Sequence, residues 1–243
     1  MYLFYKLVHK MFVYSYTNKQ LTRLPDSIIY NNLQQLYCNH NQLTSLPDLI
    51  GNSIGLQTLC CNHNQLISLP DSICYLTNLK VLCCHYNQLT KLPESIGNLT
   101  NLQRLDCHHN QLTKLSESIC HLSSLLLLVL DENQLTSLPN SIGNLINLQE
   151  LRCIDNKLTK LPESIGNLLN IEYGVNVCSN QLITFPILIA YCEGNKLKFN
   201  DNPIDKLFKN VDEFREYIIT IKQILDEQLL LDLDVVSVIF LFL

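Results

Sequence analysis

Two short stretches of the chain place thiols beside imidazoles, a combination used by metal sites and by thiol nucleophiles. The first stretch, LCCNHNQL, begins at residue 59, and the second, LCCHYNQL, begins at residue 82. A chemical site is normally built once, whereas this pattern returns at a fixed interval. The two stretches must therefore first be understood as parts of a repeat, which decides where each cysteine and histidine points.

The asparagine of the NQL motif recurs every 23 residues, and such a period determines the fold. The series is Asn41, Asn64, Asn87, Asn110, Asn133 and Asn156, then Asn180 after a one-residue insertion and Asn195 after a truncated unit. Each unit reads L-x-x-L-x-C-x-x-N-Q-L-T-x-L-P-x-S-I-x-x-L-x-N. The alternation in its first half predicts a short strand, and the second half predicts a turn-like or helical return segment. Stacked units therefore predict a parallel sheet.

This repeat resembles the leucine-rich repeat family, whose pattern is L-x-x-L-x-L-x-x-N/C-x-L. The second half resembles the intracellular Ras-suppressor and Scribble-type class, and the Asn- and Cys-rich units resemble the leucine-rich-repeat proteins of giant viruses. The resemblance implies an α/β fold: a right-handed solenoid, or horseshoe, with a parallel β-sheet on the concave face, short helical or irregular segments on the convex face, and a ladder of the repeated asparagines. We expect an N-terminal cap at 1–10, the array at 11–200, and a C-terminal helical cap with an apolar tail at 201–243.

The position within the repeat separates the two cysteines of each stretch. A cysteine three residues before the asparagine points into the core, where it behaves as a small apolar side chain. These core cysteines are Cys38, Cys61, Cys84, Cys107, Cys153 and Cys192. A histidine directly before the asparagine is predicted to lie at the bend after the strand and to contact the next unit, as at His40, His63 and His109.

Residues four and two positions before the asparagine are predicted to face the concave side. Neighbouring strands lie about 4.8 Å apart, so this register brings together Cys60, Cys83, His85 and His108, with Asp106 nearby. Concave side chains converge, and a tetrahedral zinc site built from these four residues is the alternative function. The paired C-x-x-C turns that indicate zinc are missing, so the main expectation includes no metal and no other cofactor.

The middle of the predicted concave face changes character. Leu127, Val129 and Ile154 are expected there as exposed apolar residues on neighbouring strands. Charged residues surround them, among them Arg104, Asp106, Asp131, Glu150 and Arg152. An apolar patch with a charged rim is typical of a protein-binding site. A drifted strand carrying solvated ion pairs would give the same pattern.

Composition narrows the class of function. The net charge of −5 and the lack of a basic run argue against a nucleic-acid partner. No phosphate loop, H-E-x-x-H motif or nucleophile elbow is present, which argues against an enzyme. The number of cysteines in the chain is odd, and lysines interrupt the apolar N-terminal run. Both observations favour a cytoplasmic protein. The final apolar run is too short to span a bilayer, and it is expected either to pack against the protein or to act as a weak surface anchor. The sequence predicts a non-catalytic interaction module that binds a protein or peptide on its concave face and, if viral, acts on a host.

Overall fold

The computed structural model describes residues 12–25, 33–184, 186 and 197–206, together with 213, 216, 217, 219 and 220. Within these residues nine strands form one parallel sheet in sequence order. The strands are β1 (Phe12–Ser15), β2 (Leu33–Tyr37), β3 (Thr58–Cys60), β4 (Val81–Cys83), β5 (Arg104–Asp106), β6 (Leu127–Val129), β7 (Glu150–Arg152), β8 (Gly174–Asn176) and β9 (Leu197–Lys198). The return segments contain 3-10 helices at Asp48–Asn52, Asp71–Tyr75, Ile96–Asn98, Glu117–His121, Ile142–Asn144, Glu163–Asn167 and Pro203–Lys206. This architecture confirms the predicted solenoid.

One left-handed residue after each strand turns the chain away from the sheet. Non-glycine residues seldom adopt positive φ, yet it recurs directly before each ladder position, with φ between 49° and 61°. These residues are Asn18, His40, His63, Tyr86, His109, Glu132, Asp155, Ser179 and Asp201. The bend leaves backbone N–H and C=O groups without strand partners, and buried groups of this kind need other hydrogen bonds.

The repeated asparagines supply those hydrogen bonds. The Asn87 Nδ2 donates to the carbonyls of Cys61 at 3.1 Å and Cys84 at 2.9 Å. Its Oδ1 accepts from the backbone N–H of Leu66 at 2.9 Å. Each ladder asparagine therefore connects its own unit to the preceding one. The predicted ladder is confirmed from Asn41 to Asn180.

The end of the array differs from the prediction. Asn202 Oδ1 accepts from Leu182 N at 3.0 Å, and its Nδ2 donates to Val177 O at 2.9 Å. The last ladder residue is therefore Asn202, and the assignment to Asn195 was wrong because the last unit is not truncated: Asn202 follows Asn180 by 22 residues, close to the regular period of 23. Phe199 fills the core position that Cys192 was expected to take. Asn195 and Cys192 themselves lie outside the described residues.

The predicted caps fall largely outside the described residues as well. Nothing in 1–10 is described, and beyond the last 3-10 helix the description is limited to five residues. These five residues, Glu213, Glu216, Tyr217, Ile219 and Thr220, are helical. The Thr220 hydroxyl donates to the Glu216 carbonyl at 2.8 Å, which is a contact across one helical turn.

Cysteines and leucines form one continuous core between the sheet and the return segments. Cys38, Cys61, Cys84, Cys107 and Cys153 are all 0% exposed, which confirms the predicted core column. The return segments close the core from the other side with buried isoleucines and leucines. Proline or serine carbonyls accept the first hydrogen bond of the 3-10 turns between β2 and β8, as in the bond from the backbone N–H of Ile96 to the Pro93 carbonyl.

The convex side carries a second asparagine ladder. Asn78, Asn101, Asn147 and Asn170 each donate through Nδ2 to a carbonyl of the preceding unit, at 2.7–2.9 Å. These side chains are exposed, in contrast to the buried strand-side asparagines. Water can therefore replace their single hydrogen bond.

Neighbouring units approach each other unevenly on the convex side. A Cβ added to Gly51, Gly97 or Gly143 would lie 2.0–2.5 Å from a serine carbonyl of the next unit. In the units between them the same position holds Cys74 and Cys120, which fit as buried side chains. From residue 51 to residue 143 the close approach therefore occurs in every second unit, and the next residue of the series is again a glycine, Gly166.

Replacing Asn110 by alanine should destabilise the array, because the backbone N–H of Leu89 loses its partner and the carbonyls of Cys84 and Cys107 each lose one of their two asparagine donors. We expect the free energy of unfolding to fall by about 2–4 kcal/mol. Asn101→Ala, which removes a single exposed hydrogen bond, should cost less than about 0.5 kcal/mol. Urea unfolding followed by circular dichroism measures both. Equal losses in the two variants would contradict the structural role given to the buried ladder.

Candidate functional site

The concave surface consists of residue columns that run across the strands. Cys60, Cys83, Asp106, Val129 and Arg152 occupy successive positions in one column. A second column contains Arg104, Leu127 and Glu150 in register on β5 to β7. Because the ladder fixes this register, side chains of very different chemistry are held beside one another.

Asp106 is the centre of a buried charge network, with only 3% of its surface exposed. Its Oδ2 accepts from Arg104 Nη2 at 2.9 Å, and its Oδ1 pairs with His108 Nδ1 at 2.6 Å. Burial alone would raise the pKa of Asp106, but hydrogen bonds from Arg104 and His108 outweigh it and keep that pKa below its usual value. Asp106 therefore remains ionised although it is buried.

Asp131 is held in a similar way one strand further along. Its Oδ2 accepts from both Nε and Nη2 of Arg152 at 2.8 Å, and its Oδ1 accepts from the backbone N–H of Ile154 at 2.8 Å. Only 7% of Asp131 is exposed. Asp106 and Asp131 were predicted in the charged rim of the apolar patch, and their arginine partners let them lie buried against the sheet.

The apolar residues also differ from the prediction. Leu127 and Ile154 are partly exposed, as expected, but Val129 is buried, with 8% exposure. Val129 lies in the centre of the sheet, flanked in register by Asp106 and Arg152. The side chains of these two neighbours reduce the contact of Val129 with solvent.

Most of the predicted partner-binding residues surround one open hollow of about 420 Å³. Its lining is Tyr86, Arg104, Asp106, His108, His109, Leu127, Val129, Asp131, Glu132, Glu150 and Arg152. Ile154 is the predicted residue that does not belong to the lining. Tyr86 and His109 were not included in the predicted patch, because they lie at the left-handed bend rather than on a strand.

Those bend residues form a stack of rings along one edge of the concave face. Ring centroids are 4.3 Å apart for His40 and His63, 4.3 Å for His63 and Tyr86, and 4.1 Å for Tyr86 and His109. The stack confirms that the histidines of this column contact the next unit. It ends at Glu132, whose Oε2 lies 2.7 Å from His109 Nδ1.

The four residues predicted to bind zinc do not form one ligand set. Among the described residues, the group whose ligand atoms lie within 4.8 Å of one another is Cys83, His85 and Asp106. Cys60 is the in-register neighbour of Cys83, and His108 is hydrogen-bonded to Asp106. The Arg104 guanidinium already neutralises Asp106 and would repel a divalent cation there. These contacts do not support the zinc alternative.

The thiols and imidazole beside Asp106 have shifted pKa values. A hydrogen bond from Cys83 lowers the pKa of Cys60, while the hydrogen bond to Cys60 and burial raise the pKa of Cys83. Burial lowers the pKa of His85 to about 4, despite the nearby Asp106 carboxylate. The His85 Nδ1 lies 3.6 Å from Asp106 Oδ2, which is too long for a hydrogen bond.

Residues 72–173 match the family model described as a leucine-rich repeat region, and residues 32–53 match a leucine-rich repeat model. The chain is a leucine-rich repeat protein. No curated protein compared with it gives a significant match. Among the residues that the structure describes, no helix combines the length and apolar character required to cross a bilayer.

Several solved leucine-rich repeat structures are similar to this protein. A Leptospira interrogans leucine-rich repeat protein is 29% identical with a TM-score of 0.63, over 78% of this chain and 57% of its own. The plant peptide hormone receptor RGFR1, in complex with RGF2, is 28% identical with a TM-score of 0.67, over 79% of this chain and 31% of its own. YopM, a leucine-rich effector protein from Yersinia pestis, is 29% identical with a TM-score of 0.60, over 77% and 54%. The chain therefore spans less than two thirds of each of these proteins.

Leucine-rich repeat proteins commonly mediate protein–protein interaction through their extended concave surfaces and are typically non-catalytic.

The shifted pKa of His85 makes stability dependent on pH. Its pKa of about 4 in the folded protein lies below the ordinary 6.5, so the unfolded chain binds more protons between these values. Stability from neutral His85 is present above pH 6.5 and is lost as the pH falls towards 4. Between pH 6.5 and pH 4, we expect the free energy of unfolding to fall by roughly 2–3 kcal/mol more in the wild type than in His85→Asn.

Asparagine is a matched replacement for His85, because Asn39 and Asn62 occupy the same position in their own units, two residues before the ladder asparagine. Urea unfolding by circular dichroism at pH 7, 6, 5 and 4 measures the difference. His121→Asn, an exposed change on the convex side, should follow the wild-type curve. Parallel curves for wild type and His85→Asn would show that His85 does not titrate in this way.

Proposed function

We propose that this leucine-rich repeat protein is a non-catalytic interaction module whose concave hollow binds a protein or peptide segment containing a basic residue beside an apolar one. The observation that carries the proposal is the hollow between β4 and β7, where partly exposed Leu127 lies in register between Arg104 and Glu150. An apolar contact surrounded by charged groups is typical of protein-binding surfaces.

The charge of the lining favours a basic partner. Arg104 and Arg152 are each paired with a buried aspartate, so neither guanidinium is an uncompensated charge. The other two acidic residues of the lining are Glu132 and Glu150. Glu132 contacts His109, whereas Glu150 has no ion pair within the described part of the chain. A lysine or arginine of a partner would meet an acidic surplus there, and complementary charge favours such an encounter.

The buried aspartates support rigid presentation of this surface. Each arginine side chain is held by an aspartate oxygen at 2.8–2.9 Å, so it loses little freedom when a partner binds. A surface already ordered in the free protein loses less conformational entropy on binding. The plant receptor in complex with RGF2 supports a peptide or protein as the class of partner.

We also propose a cytoplasmic location, which is supported by ten free cysteines among the described residues. The resemblance to giant-virus repeat proteins extends the proposal to a partner from a host cell.

The test is selection of random peptides on the immobilised full chain, followed by titration of the selected peptides. We expect selected peptides to contain Lys or Arg next to an apolar residue. Glu150→Gln and Leu127→Thr should each weaken binding by roughly tenfold, which corresponds to about 1.4 kcal/mol. Both replacements are matched to the array, because Gln35 and Thr58 occupy the same column.

Glu163→Gln, an exposed change on the convex side, serves as the control and should leave affinity unchanged. Binding should also weaken as salt concentration rises, because part of it comes from exposed charge. Selection of acidic peptides would refute the proposed partner chemistry. Selected peptides that bind Glu150→Gln and Leu127→Thr as tightly as wild type would refute the hollow as the site.

A further inference from the structure

Cys60 and Cys83 are side-by-side thiols on the concave face. They are direct partners in the register of β3 and β4. Adjacent strands lie about 4.8 Å apart, within the range of about 4.4–6.8 Å between Cα atoms that a disulfide requires. The ring centroids of His85 and His108, which lie on the same face, are 4.3 Å apart. Side chains of neighbouring strands on this face therefore come as close together as the strands themselves.

Access distinguishes this pair from the other cysteines. Cys60 is partly exposed, whereas Cys83 beside it is buried. Cys84 and Cys107 are also in contact, with 3.3 Å between their sulfurs, but both are fully buried. Cys178 is partly exposed but lies in register with Asn200 rather than with another cysteine. Among the described cysteines, contact and access are combined at Cys60 and Cys83.

We propose that Cys60 and Cys83 form an oxidisable dithiol, a modification site at which a peroxide joins two neighbouring repeats by a disulfide. Cys60 reacts first because it is the exposed partner. Its thiolate attacks one peroxide oxygen, the O–O bond breaks, and the departing hydroxide is protonated to water, which leaves a sulfenic acid on Cys60.

Cys83 completes the reaction. Its sulfur attacks the Cys60 sulfur, the S–S bond forms, and the S–O bond breaks. The hydroxide released in this second step takes the proton of the Cys83 thiol and leaves as a second water. The two sulfurs together lose two electrons and the peroxide oxygens gain them. No cofactor is required, because the peroxide is the oxidant.

The proposal can be tested on the folded full chain with hydrogen peroxide as the probe. After oxidation, the remaining thiols are alkylated under denaturing conditions and the digested protein is mapped by mass spectrometry. We expect a linked pair of peptides carrying Cys60 and Cys83, two hydrogens lighter than the free thiols, that dithiothreitol separates. The link should be absent in Cys60→Ser and Cys83→Val.

The variants also separate the two steps. In Cys83→Val, Cys60 should stop at the sulfenic acid and be trapped by dimedone. Valine occupies the same column at Val129, so this replacement suits the fold, and circular dichroism checks it. Cys178→Ser should leave the link unchanged. Wild-type protein in which Cys60 is oxidised but unlinked would overturn the proposal, as would a main link between Cys84 and Cys107.

Discussion

The turns that follow β2 to β9 each depend on one side-chain amide, which is buried from Asn87 onward. The central strands are only three residues long, and a left-handed residue follows each of them. Backbone groups at that bend have no strand partner, and an amide that both donates and accepts is suited to satisfy them. Asn110, for example, accepts from Leu89 N and donates to the carbonyls of Cys84 and Cys107. Because the same contacts recur in each unit, the strands cannot slip relative to one another.

That fixed register creates the chemistry of the concave face. Residues with the same position in successive units become neighbours, so rings stack on rings and the Cys60 thiol lies beside the Cys83 thiol. Where the columns change from cysteine and histidine to charged and apolar residues, the hollow forms. The charged residues there stabilise one another before any partner arrives, since Asp106 and Asp131 each lie against an arginine.

The sequence was sufficient for features that depend on the period alone. Which cysteines enter the core, and the position of the buried asparagines up to Asn180, follow from counting residues, because the backbone geometry repeats with the count. In the last unit the ladder residue is Asn202 and not Asn195, although Asn202 follows Asn180 by 22 residues and so lies close to the regular period. The Asn-Lys-Leu sequence at Asn195 resembles the repeat motif, whereas Asn202 is followed by proline, so the motif and the period indicate different residues.

Features that depend on side-chain conformation could not be predicted. The burial of Asp106 and Asp131 requires arginine rotamers that bring guanidinium groups onto them, and no spacing rule specifies these. The burial of Val129 follows from the same arrangement. The ring stack could have been extended to Tyr86, because it shares the column of His63 and His109. The convex asparagine ladder also had a sequence signal, namely the second asparagine of the repeat unit.

The alternation of glycine and cysteine on the convex side bears on how such an array can grow. Close contacts at Gly51, Gly97 and Gly143 alternate with units in which Cys74 or Cys120 fills the same place. Duplicating a single repeat would set two turns of the same kind next to each other and disturb this pattern. Duplicating two repeats together would preserve it. Between residues 51 and 143 a duplication of two repeats would therefore preserve the close contacts, whereas Gly166, one period after Gly143, is a place where two glycine units are neighbours.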